Sequence, residues 1–157
     1  MESFFVWLEA SSLGVFMKDK PATFATVEAV HLMALAVLGG SVLLSDLRLW
    51  NLVMADTPSR TVVDSAHKFF KVALLALLVT GFMMLAGVAT KCYHNFYYWV
   101  KMAALASGII FVFAIRQPLL RQDHAQLNPW TLKFVALAST SLWFLVAASG
   151  RWIGFSG

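Results

Sequence analysis

Four long apolar runs separated by short polar stretches set the pattern of this 157-residue chain; they cover approximately residues 24–45, 69–89, 97–115 and 132–153. A helix needs about 20 apolar residues to cross a hydrocarbon layer about 30 Å thick, and each run reaches or approaches that length. Backbone polar groups in lipid must be bonded within their own segment, so the runs predict helices. The alternating apolar and polar positions of a membrane barrel do not occur. Stretches 51–65, 91–95 and 117–128 read as polar loops, the last carrying Pro118, Arg121, Asp123 and His124. Short loops place consecutive helices side by side in opposite directions. The prediction is an all-α integral membrane protein, a four-transmembrane-helix antiparallel bundle over residues 21–157.

A fifth apolar stretch, 3–17, is too short to span comfortably. Glu9, Ser11 and Ser12 interrupt it, and Lys18-Asp19-Lys20-Pro21 ends it. Within residues 1–20 it predicts an amphipathic interfacial helix, with Phe4, Phe5 and Trp7 among the headgroups. The opening Met1-Glu2-Ser3 lacks the basic region of a cleaved signal peptide. Small residues fall where packed helices need close approach: Gly39, Gly40, Gly81, Gly87, Gly108 and the alanines at 103, 104, 106, 136 and 138. Trp50, Tyr97, Trp99, Trp130 and Trp152 sit near segment ends, the pattern of an interfacial belt.

Composition sharpens this picture. The chain is 60% hydrophobic and 13% charged, against about 25% charged residues in an ordinary soluble domain, so most of its surface must face lipid. A formal net charge of +4 without a basic run interleaved with aromatics excludes a nucleic-acid surface. The lone Cys92 allows no internal disulfide and is too far from either end to be a terminal lipidation signal. Arg48, Arg60, Lys68, Lys71, Arg116, Arg121 and Lys133 outnumber the basic residues on the other side, Lys18, Lys20, Lys91, Lys101 and Arg151. The positive-inside rule then places both termini on the periplasmic side of a bacterial inner membrane.

Polar residues inside the spans carry the candidate chemistry, because burying them in lipid is costly. At about 1.5 Å of rise per residue, Glu28, Lys101 and Arg151 fall into one outer layer. His31 lies a turn deeper, with Met83 or Met84 and Met102. Cys92 and His94 sit above, in the outer loop. A structural ion pair and a proton or quinone head-group site are both open to Glu28 and Arg151. Glu28 and His31 are three residues apart and share a helix face, so Glu28 could orient the imidazole as a carboxylate does for a metal-bound histidine. His31 itself reads as an imidazole bonded within the fold, a proton relay, or a ligand to haem or copper. On the inner side, Asp46 is expected to pair with Arg116 or Lys71.

Haem b with two axial imidazoles is not supported: His67 is at the opposite end, and His94 and His124 are in loops on opposite sides. A single haem on His31 and His94 requires the outer loop to dip inward. Copper suits the soft set His31, Met83, Met102, Cys92 and His94, although methionine is also ordinary core filler. Ser107, Ser139 and Ser141 read as packing residues rather than nucleophiles, and no phosphate loop or HExxH motif is present. Glu28-x-x-His31 occurs once only, short of the carboxylates a di-iron bundle needs.

The run from Pro21 through Glu28-Ala29-Val30-His31 to Asp46-Leu47-Arg48-Leu49 resembles a family of small bacterial membrane proteins. So do Thr80-Gly81, the stretch from Trp99 to Met102, and Gly150-Arg151-Trp152-Ile153. More distantly the chain is similar to the membrane domains of D-type copper-resistance proteins and of cytochrome b561-like bundles. The resemblance implies a surface helix ahead of a membrane bundle and brings no activity with it. The expected function is a small, non-catalytic or cofactor-supporting inner-membrane subunit of a redox assembly. Its outer cluster is Glu28, His31, Lys101 and Arg151, and its partners are lipid and other redox subunits. The alternatives are a copper-handling protein using His31, Met83, Met102, Cys92 and His94, and a haem b electron carrier.

Overall fold

Three of the four long helices begin at a residue suited to its position. The computed structural model describes residues 1–121 and 128–156; Asp123 and His124, which the sequence places in a loop, lie outside them. Helix α3 (Pro21–Leu49) starts with Pro21 in its first turn, where the missing N–H costs nothing. Helix α4 spans Ser59–Gly87. Helix α6 (Phe96–Ile110) is capped by Asn95, whose side chain accepts from the Tyr97 N–H at 2.9 Å. It runs on through a π-helical stretch, Phe111–Arg116, into α7 (Gln117–Arg121). Helix α8 (Pro129–Phe155) has Asn128 as its cap, accepting from the Trp130 N–H at 2.9 Å.

Three of these spans outrun their apolar segments at both ends, and α4 does so at its start only. Helix α4 takes in residues 59–65 of the first expected polar loop. The second expected loop contains most of a short helix, α5 (Ala89–Tyr93). Four helical spans are long and apolar enough to cross a membrane: Pro21–Leu49, Ser59–Gly87, Phe96–Leu120 and Pro129–Phe155. Their most apolar windows are only 22%, 28%, 17% and 28% buried within the protein. Large apolar side chains such as Phe69, Val72, Leu75 and Phe144 stand outward along them. Such a surface needs lipid, which points to a multi-pass membrane protein.

Neighbouring spans run in opposite directions. His31 near the start of α3 meets Thr80 near the end of α4, and Asp46 near the end of α3 meets Thr140 in the first half of α8. Gly108 of α6 lies against Trp143 of α8, where an added Cβ would sit 3.4 Å from the indole. The shared core draws on all four spans, with Leu38 and Val42, Phe70 and Leu74, Val112, and Trp143. Because lipid is as apolar as these side chains, close van der Waals fit rather than water exclusion holds the helices together. Glycines 81, 87 and 108 serve that fit, whereas Gly39 and Gly40 have nothing within 4 Å of a built Cβ.

The N-terminal stretch forms two helices, α1 (Glu2–Ala10) and α2 (Ser12–Asp19), where one was expected. Ser11 causes the break: its backbone is extended, and its hydroxyl oxygen caps α2 by accepting from the Gly14 N–H at 3.2 Å. The pair docks on the ends of α4 and α5. At Gly14 an added Cβ would come within 2.8 Å of the Ala86 carbonyl. Glu9 accepts from the Thr90 N–H at 2.8 Å and from Lys18 at 2.5 Å. The Lys18 ammonium first, and then Thr90, hold the Glu9 carboxyl well below its usual range, at about 2. The end of the bundle that carries α1, α2, α5 and the C-terminus is called the terminal end below.

Candidate functional site

His31 projects from α3 toward α4, partly buried near the terminal end. Its Nδ1 lies 2.8 Å from the Thr80 hydroxyl oxygen. That hydroxyl lies 2.6 Å from the Ala76 carbonyl, the back-bond a helical threonine makes. Where the Ala76 carbonyl takes the hydroxyl hydrogen, Thr80 accepts from the Nδ1–H form of His31; where Thr80 donates to Nδ1, the ring is the Nε2–H form. In either form Nε2 makes no hydrogen bond among the described residues. A hydrogen bond on one ring nitrogen that orients and charges the other is the arrangement of a ligating or proton-accepting histidine.

Glycine makes room for the ring. A Cβ at Gly81 would stand 3.3 Å from His31 Cε1, tighter than ordinary contact. A second notch lies across the bundle, where the Lys101 side chain crosses Gly150 of α8. A Cβ there would be 3.3 Å from Lys101 Nζ and 3.4 Å from its Cε. Lys101 is partly buried and forms no ion pair among the described residues. The terminal half thus holds an oriented imidazole and an uncompensated ammonium, each seated against a glycine of a neighbouring helix.

The other residues singled out by sequence go elsewhere. Glu28 is exposed and has no ion pair among the described residues. Three residues turn a helix through about 300°, which leaves Glu28 about 60° around from His31 and on the outer surface. His31 bonds Thr80 in its place. Arg151 is also exposed and stacks over the Phe155 ring at 4.7 Å, so the expected pairing of Glu28 with Arg151 does not form. Cys92 is buried among Phe5, Leu8, Ala86 and Tyr98, and burial pushes its thiol up. His94 faces outward, 3.5 Å from Glu2. Met83 is partly buried and Met102 is 40% exposed. Among the described residues no group of three His, Cys, Asp or Glu side chains is arranged to hold a metal ion.

A second polar cluster closes the opposite end. Asp46 and Arg116 form the expected ion pair at 2.6 Å, with side chains only 4% and 6% exposed. Arg116 also donates to Ser45 at 2.7 Å, and Thr140 donates to the second Asp46 oxygen at 3.0 Å. Lys71, the other partner considered for Asp46, is exposed. The π-helical stretch ends at Arg116, and such widened turns recur where a helix must aim a particular side chain. Two residues beyond Asp46, Arg48 donates to the carbonyls of Thr57 (2.8 Å) and Ala55 (3.3 Å) and to the Asn51 side chain (2.8 Å). It staples a loop in which Asn51 and Met54 adopt positive φ of 61° and 51°. The Asp-Leu-Arg-Leu run is therefore structural at both charged positions.

Sequence reasoning missed Thr80, Gly150, Ser45 and Thr140. Thr80 carried a readable signal, a lone hydroxyl residue next to a glycine at the depth of His31. Gly150 stood in the run Gly150-Arg151-Trp152-Ile153, but nothing in that run pointed to its contact with Lys101. No curated protein and no solved structure matches the chain. Over residues 4–156 it matches a family of unknown function, DUF6644, and the chain belongs to that family.

Proposed function

We propose that this chain is a small subunit of a membrane redox assembly, in which His31 and Lys101 support a cofactor or electron carrier. On this reading residues 21–157 cross a bacterial inner membrane as a four-helix bundle. Both termini are periplasmic, and α1 and α2 lie at the lipid surface. The observation that carries the reading is the His31 ring, held by Thr80 with Nε2 left open inside a membrane span. A structural histidine in lipid would be expected to satisfy both ring nitrogens.

Purification from membranes in mild detergent tests this. Cytochromes or other redox subunits are expected to co-purify, and His31→Ala is expected to lower electron transfer in that assembly without dissolving it. A Soret band near about 410–430 nm on the isolated chain, lost in His31→Ala, would replace the reading with a haem carrier. Stoichiometric copper lost with the same substitution would replace it with copper handling. A chain that purifies alone, with neither cofactor, would refute it.

A further inference from the structure

The end of the bundle opposite His31 carries an open groove of about 360 Å³, where the end of α3 meets the start of α8. Trp50 and Leu52 line it from the α3 side, and Trp130, Lys133, Phe134 and Leu137 line it from α8. The two sides are tied together, because the Trp50 indole N–H donates to the Lys133 carbonyl at 3.2 Å. The Lys133 side chain reaches over the Trp130 ring, its Nζ 5.2 Å from the centroid. Such a cation–π contact steadies the ammonium without neutralising it. Lys133 is exposed and forms no ion pair among the described residues. The other lining side chains are apolar.

The groove is graded along the helix axis. Trp50 and Trp130 stand at the ends of their helices, where an interfacial belt lies. Leu137 is a further two turns into α8, about 12 Å beyond Pro129 at about 1.5 Å per residue. Phe134 is 66% exposed and Leu137 49%, so the deeper part faces hydrocarbon. A cation at head-group depth thus leads down to an apolar floor within the span. That is the outline of a phospholipid: phosphate, then glycerol, then acyl chain. A second groove of about 260 Å³, between α3 and α4, is lined by apolar side chains throughout, Met33, Val37, Phe69 and Val72 among them. It offers nothing to a head group.

Charge selects among phospholipids. In this half of the bundle the exposed Arg60, Lys68, Lys71 and Lys133 outnumber the exposed Asp56 and Asp64 among the described residues. A zwitterionic lipid brings its own cation to the phosphate, and that cation competes with Lys133. An anionic lipid brings none.

We propose that this groove binds one anionic phospholipid, with its phosphate on the Lys133 ammonium, its glycerol between Trp50 and Trp130, and an acyl chain over Phe134 and Leu137. The assignment is independent of the redox reading, since it uses no residue of the terminal end.

The test titrates the full-length chain in detergent with phosphatidylglycerol and, separately, with phosphatidylcholine of the same acyl chains; native mass spectrometry counts the bound lipid. One retained phosphatidylglycerol is expected, favoured over phosphatidylcholine about fivefold, the ratio one basic residue confers near an anionic surface. Lys133→Met is expected to abolish that preference while phosphatidylcholine binding is unchanged, and Lys133→Arg is expected to keep it. Leu137→Trp, which fills the groove, is expected to remove the bound lipid of either kind. Lys68→Gln and Lys71→Gln, exposed on α4 and outside the groove, are controls expected to leave the preference intact. Equal retention of the two lipids, a preference that survives Lys133→Met, or one that falls as far in Lys68→Gln would overturn the proposal. Displacement of the lipid by glycerol phosphate, which has no acyl chain, would assign the groove to a free phosphate and overturn it as well.

Discussion

Replacing Asp46 by Ala is expected to destabilise the protein by about 3–5 kcal/mol, the usual cost of removing one partner from a buried ion pair. The structure supports the upper part of that range. Both side chains are almost fully enclosed, and the ion pair measures 2.6 Å. Without Asp46 the Arg116 guanidinium keeps a single neutral acceptor, Ser45 at 2.7 Å, while its Nε already lacks a partner. Thr140 loses its acceptor as well. In a domain of this size a loss of that magnitude corresponds to roughly 10 °C in melting temperature. Thermal unfolding in detergent micelles, followed by circular dichroism, measures the shift. The informative control is the double substitution Asp46→Leu with Arg116→Met, which removes both charges. A well-packed apolar pair is often as stable as the buried ions it replaces, so the double variant is expected to regain most of the loss. A single Asp46→Ala variant within about 1 kcal/mol of the parent, or a double variant no better than the single, would refute the reasoning.

Three further outcomes are expected. Glu9 has its carboxyl held at about 2, below the ordinary value of 4.5. Its contribution is therefore complete above about 4.5 and is lost as pH falls toward 2. Hydrogen exchange in α1 and α2 should quicken across that window, and Glu9→Gln should abolish the dependence. Gly14→Val should detach α2, because the added carbon meets the backbone carbonyls of Leu8 (2.7 Å) and Ala86 (2.8 Å) rather than a flexible side chain; limited proteolysis of residues 1–20 reads this. Nitrogen NMR of labelled His31 should show a single tautomer at neutral pH, held by the Thr80 contact, and Thr80→Val should allow the two tautomers to mix.

The apolar runs reveal the spans because a membrane enforces length and composition together; three of the four spans contain their predicted segment, and α4 ends at Gly87, two residues short of its own. Helix ends were less legible. Residues 59–65 are polar enough to read as loop, yet they extend α4 past the apolar limit. The Asp46–Arg116 pair was readable from depth alone, because few partners exist at that level. The pairing of Glu28 with Arg151 failed for a different reason: depth gives height along a helix but not azimuth, and about 60° of rotation separates an inward from an outward side chain. His31 was readable as a polar residue inside a span, whereas its partner Thr80 required knowing which face of α4 turns toward α3.

The link between Glu9 and Thr90 joins residues 81 positions apart. At about 5–20 residues synthesised per second, α1 and α2 exist for roughly 4–16 s before their docking surface has been made. Phe5 and Leu8, which the docked helices bury, lack their partners throughout that interval. A chain interrupted before α5 is synthesised would therefore leave these two side chains without their docking surface. The docking of α1 and α2 thus acts as a late step that registers the completion of the second span.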